Sequence, residues 1–226
     1  MNGTSSRVSI GSLIWVPAVI TLAVTILRLV GELEGWSPIF FNKSAGGGGA
    51  IIGISWLPII FGPYFAWKLA AAGDGPSSSG MAIGMCAVGL VVFFLGAVAF
   101  GFGFTKHIAA LLILGIALFL ASAFIPRVGW RSLGNVLLAY AFAARIPVVI
   151  VMFIAMRANG GQGWGTHYDV APPNFPAQSL GAKFLHLAVF PQMTGWIGWT
   201  VVVGSILGVI VAAIAGRGKQ AAPAAA

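Results

Sequence analysis

Six apolar runs dominate the 226-residue chain, each long enough to cross about 30 Å of hydrocarbon. They cover approximately residues 10–30, 50–69, 81–104, 108–125, 134–156 and 195–215. Backbone amides have no water to bind inside a bilayer, so each crossing run must close its hydrogen bonds within a helix. The pattern predicts an all-α fold, a polytopic transmembrane helix bundle of about six spans. Five are possible, because Pro58 and Pro63 each remove a donor from the second run and make it a bent or re-entrant segment. The third and fourth runs are separated only by Thr105, Lys106 and His107, which fits a tight antiparallel hairpin.

Composition excludes the alternatives. Charged residues make up 7% of the chain and hydrophobic ones 59%, whereas a soluble domain carries about a quarter charged residues. The chain reads as one integral membrane domain over residues 1–226, with residues 216–226 small and polar enough to form a mobile tail. The first run is longer than the core of a secretory signal and lacks a small-x-small cleavage site, so it is expected to be a retained helix. A net charge of +8 would suggest nucleic acid in a soluble protein. Here the basic residues are thinly spread, which points to loops touching lipid head groups and to no nucleic-acid partner.

Loop charge sets the expected orientation. In a six-span chain Arg7, Lys68, Arg127, Arg131, Arg217 and Lys219 share the side of both termini, and Arg28, Lys43, Lys106, Arg157 and Lys183 take the other. This bias places the termini in the cytoplasm.

Arg145 is the exception to this segregation, because it falls near the middle of the fifth run. Guanidinium at a helix centre costs roughly 2.5–3.5 kcal/mol on insertion scales. The chain's four acids, Glu32, Glu34, Asp74 and Asp169, all fall in expected loops, so no intramembrane carboxylate is in view. Either the span is shifted and Arg145 snorkels to an interface, or it meets carbonyls, an inward-folded acid, an anionic ligand, a lipid phosphate or another subunit. Tyr140, one turn and more before it, is a further candidate for ligand or partner contact.

His107, His167 and His186 fall on the side opposite the termini, as does Asp169. Imidazole and carboxylate together offer a metal or proton site, although no clustered-ligand motif accompanies them. Gly89, Gly96 and Gly103 recur at heptad spacing, and Gly204 and Gly208 form a GxxxG pair. Small residues let membrane helices approach closely, so these five are expected to pack helices. Cys86 is alone, no mid-span His pair or Lys is present, and no motif assigns a cofactor, which stays unknown.

Three functions fit. The first is a non-catalytic subunit that packs against partner proteins, lipids or a hydrophobic cofactor in a membrane complex. Its partners would be membrane lipids and either other membrane subunits or further copies of the chain. The second is a small transporter or channel with an anion site at Arg145. The third, an enzyme with an outer-face His/Asp site, is least favoured by the absence of motifs.

Overall fold

The computed structural model describes residues 9–47, 49–173, 175–176 and 179–220, with side chains as far as 215. Every regular element among them is helical. The apolar runs become α1 (Ile10–Leu33), α2 (Leu57–Ala71), α3 (Ser79–Lys106), α4 (Ala109–Phe124) and, after the single turn α5 (Pro126–Gly129), α6 (Arg131–Gly161). A short α7 (Leu180–Phe184) passes through two π-helical stretches, Leu185–Val189 and Pro191–Gly195, into α8 (Trp196–Gln220). The apolar piece at residues 184–190, too short to span alone, is therefore the early part of the last span. Residues 216–220 of the expected tail continue α8 as helix, and residues 221–226 lie outside the described residues.

Five helical stretches are long and apolar enough to cross a membrane: Ile10–Leu33, Ser79–Lys106, Ala109–Gly129, Arg131–Gly161 and Leu180–Ala215. The second run falls short as a helix. Its 15 residues in α2 reach only about 22 Å at 1.5 Å per residue. Helix starts at Leu57 with Pro58 in its first turn, where a missing N–H costs least. The irregular residues 50–56 supply the rest of the path. Trp199 Nε1 donates to the Ser55 carbonyl (2.8 Å) at one end of α2, and Trp130 Nε1 donates to the Asp74 carbonyl (3.0 Å) beyond the other. α2 thus runs from the middle of the last span toward the start of α6 while packing on α8 and α6.

Glycine permits that packing. A Cβ on Gly62 of α2 would collide with the Gly204 backbone of α8. One on Gly208 would meet Ala66 Cβ and the Gly62 carbonyl at 3.0 Å. On α3, Cβ atoms at Gly89, Gly96 and Gly103 would meet Pro126 (3.2 Å), Leu118 (3.1 Å) and the Leu112 backbone (2.5 Å) respectively. Both sets of small residues therefore face helices of this same chain. Gly62→Val is expected to force α2 off α8 and to destabilise the bundle by at least the 1–3 kcal/mol typical of overpacking, about the upper end given a backbone-to-backbone contact. Thermal unfolding in detergent measures it, and an unchanged midpoint would contradict the close approach.

The core lies where α2, α6 and α8 meet. Phe65, Leu133, Leu137, Tyr140, Val201 and Val202 are essentially without exposed surface. Tyr140 lies edge-on to Phe61 and Phe65, with ring centroids 5.4 and 5.5 Å away. Its hydroxyl shares a 2.8 Å hydrogen bond with Thr21 Oγ1, which ties α6 to α1. By contrast, Val91, Phe94, Leu95 and Val98 of α3 point outward and are more than half exposed, as a lipid-facing surface requires.

Candidate functional site: a cleft from the bundle end to Arg145

Arg145 does not snorkel. It is 3% exposed and lies twelve positions before Arg157, about 18 Å along the helix. Among the described residues no carboxylate pairs with it, since the ion pairs there belong to Arg28, His167 and Glu32. Arg145 instead donates from Nη1 to Gln192 Oε1 at 3.2 Å, and its guanidinium carbon stands 4.7 Å from the centre of the Trp196 ring. Nε is buried without a hydrogen-bond partner. A guanidinium carries five donors, so most of its hydrogen-bonding capacity is unused by the protein.

The local fold explains this exposure to a void rather than to a partner helix. Pro191 lacks an N–H and begins the second π-helical stretch, and wide turns of this kind commonly mark functional sites. They carry His186 and Gln192 past Arg145. Gln192 is steadied from the other side, where its Nε2 lies 4.0 Å from Met152 Sδ. Between these side chains opens a cleft of about 410 Å³ lined by Arg145, Gln192, Trp196, His186, His167 and Arg28. No described Asp or Glu lines it. Apolar groups such as Val148, Met152 and Phe100 make up much of the remaining wall.

The far end of the cleft is a rigid polar cluster that joins two distant loops. Glu32 occupies the last turn of α1, correcting the expectation that it lies in a loop, and it is completely buried. Its Oε1 accepts from Arg28 Nε (2.9 Å) and pairs with His167 Nδ1 (2.5 Å), while Oε2 accepts from the His167 amide (2.8 Å). Arg28 also donates to the Gly47 carbonyl at 2.9 Å. Gly47 has φ +76°, and a Cβ there would stand 2.6 Å from Arg28 Nη2, so glycine is required on both counts. The glycine-rich loop after α1 is thus pinned at Gly47 by a guanidinium.

Tyr168 completes the anchoring. It is 2% exposed and donates its hydroxyl to the Thr25 carbonyl at 3.1 Å. Burial pushes its phenol well above the ordinary range, so it remains a neutral donor. Asp169 holds its own turn: Oδ2 accepts from the Gly165 amide (2.9 Å), and Oδ1 accepts from the Thr166 amide (2.9 Å) and hydroxyl (2.6 Å).

The four residues expected to form a metal or proton site are therefore distributed. His167 faces the cleft, Asp169 closes a turn, and His107 caps α3 in a left-handed conformation (φ 56°). His186 borders both the cleft and a neighbouring cavity that His107 also lines. Among the described residues no three His, Cys, Asp or Glu side chains converge as metal ligands would. Tyr140 is outside the cleft lining, its hydroxyl bonded to Thr21.

Burial depresses the pKa of His167, the hydrogen bond to Glu32 opposes that shift, and the charge of Arg28 adds to it; the net direction is downward. The unfolded chain therefore binds the proton first as pH falls through about 6.5. Stability attributable to this site is full above that pH and is lost on acidification until the lower folded-state pKa is passed. Thermal midpoints compared at about pH 7.5 and about pH 5.5 should fall more for the parent protein than for His167→Gln. An equal fall in both would remove His167 as the cause.

In net charge, Arg28 is balanced by Glu32, and Arg145 is left as the uncompensated cation at the inner end of the cleft. The arrangement suits an anionic group that enters past His167 and ends on the Arg145 guanidinium. No family model, no curated protein and no solved structure matches this chain, so the functional reading rests on the cleft itself.

Proposed function

We propose that this chain is a small membrane carrier for an anionic ligand, with Arg145 as the binding charge. The observation that carries the reading is a guanidinium halfway along α6 that is almost wholly buried, has an unpartnered Nε and borders a cleft. Holding such a charge uncompensated is unfavourable, and an anion with two acceptor oxygens relieves it by bidentate hydrogen bonding. Carriage rather than static packing is supported by the helix irregularities beside the site, Pro147 within a continuous α6 and the two π-helical stretches that lead into α8. Wide π turns are commonly found at functional sites, where they re-aim side chains without interrupting the helix.

A carrier of this kind commonly keeps a buried carboxylate near its path, and Glu32 supplies one next to His167. On the expected orientation of a six-span chain, with both termini in the cytoplasm, the Arg28 and His167 end of the cleft faces outward. The outward apolar faces of α3 are accounted for by lipid, and the subunit reading gains no separate support from them.

The test is binding and flux together. Purified protein in nanodiscs should bind short carboxylates or inorganic phosphate, and proteoliposomes should pass the anion that binds. Arg145→Gln should abolish both. Flux that survives this substitution would end the reading.

A further inference from the structure

The cleft has a neighbour on the far side of Trp196. A second cavity of about 300 Å³ adjoins it and shares Phe100, Pro191 and Trp196 with its wall. The rest of that cavity is aromatic or bare backbone: Phe93, Phe119, Trp199 and Gly195. These rings form one connected surface, with Phe93 centred 5.2 Å from Phe119 and 5.8 Å from Trp199, and Phe100 5.8 Å from Phe119. Gly195 keeps the wall open, because a Cβ there would already touch the Phe119 ring at 3.3 Å. Trp196 belongs to both spaces and holds Arg145 4.7 Å from its ring centre. A buried cation and an apolar trough thus meet across one indole.

We infer that the ligand is a single-chain amphiphile, with an anionic head on Arg145 and an aliphatic tail lying along Phe93, Phe119 and Trp199. This rests on the anion reading above and narrows it. The head is fixed by the unpartnered guanidinium, which a hydrocarbon cannot satisfy. The tail follows from adjacency, because the trough shares Phe100, Pro191 and Trp196 with the wall of the cleft that holds the head. A compact inorganic anion would leave that trough unused. A trough of about 300 Å³ has room for one alkyl chain rather than two.

The experiment uses the full chain in phosphatidylcholine nanodiscs and palmitate carrying a diazirine near its methyl end. Photolysis should label the stretches that contain Phe93, Phe119 and Trp199 above the other lipid-facing surfaces. The corresponding alcohol, with the same tail and no charge, should label them about tenfold less or weaker still, as expected when a charged hydrogen bond is lost. Arg145→Gln should reduce labelling by the carboxylate to the level of the alcohol. Unlabelled palmitate should displace the probe. Displacement by diacyl phosphatidic acid but not by palmitate would assign the site to the bilayer's own phospholipid and overturn the single-chain inference. Short carboxylates that bind through Arg145 while the long probe labels all outer faces evenly would also overturn it, leaving the anion reading intact. Failure of short and long anions alike to bind would overturn both.

Discussion

Arg145→Met abolishes anion binding and leaves the protein at least as stable as before: that pair of results is the expected signature of a charge held for a ligand. Truncating one partner of a buried, hydrogen-bonded charge pair costs about 2–5 kcal/mol of binding, or roughly thirtyfold to several thousandfold. The free protein responds the other way. In it the guanidinium has one side-chain hydrogen bond, an aromatic face and an orphaned Nε, with no carboxylate. Replacing a buried charge by an apolar side chain of similar length is commonly neutral or stabilising, by up to about 4 kcal/mol. The lost contact with Trp196 offsets part of that gain. Calorimetric titration reads the first effect and thermal unfolding in detergent the second. A destabilisation beyond about 2 kcal/mol would make Arg145 a structural residue, and the carrier reading would lose its main support.

Glu32→Ala should behave in the opposite manner. Three donors converge on this carboxylate from two separate chain segments, and it has no exposed surface. Removal leaves Arg28 and His167 facing each other without the negative charge between them. Breaking a buried pair in this way costs about 3–5 kcal/mol. The loss should appear as a lower unfolding midpoint and as faster proteolysis within residues 162–173, which His167 and Tyr168 fasten to α1. Glu32→Gln should fall between, because its amide keeps one acceptor but presents a donor to a neighbouring donor. A variant as resistant as the parent would show that Tyr168 and Asp169 hold the segment unaided.

Much of the architecture was legible in hydropathy alone, because lipid leaves a helix no alternative. The α3–α4 hairpin follows from two runs with three residues between them, and Arg145 stands out as a charge in an apolar run. Glu32 was not recognised as buried, because the apolar run ends at Val30 and the acids that follow resemble a loop. One signal was present: Arg28 precedes Glu32 by four positions, the spacing at which side chains meet on a helix. Its union with His167 spans 135 positions, and no local pattern encodes that distance. Pro191 hinted at a disturbed helix, but a proline does not say whether the turn around it tightens or widens. The aromatic trough was invisible for a related reason. Its rings come from α3, α4 and α8, where each reads as an ordinary lipid-facing residue.

The widened turns before α8 make the site depend on residue number as well as residue identity. A π turn absorbs one more residue than the α turn it replaces. Deleting a single residue between Leu185 and Gly195 would let one wide turn relax to a regular α turn, with the helix on either side kept nearly in phase. The widened turns that space His186 and Gln192 along the cleft would be reduced by one, although the rest of the helix would keep its facing. Gain or loss of one residue at this place therefore alters the geometry of the cleft without altering its chemistry.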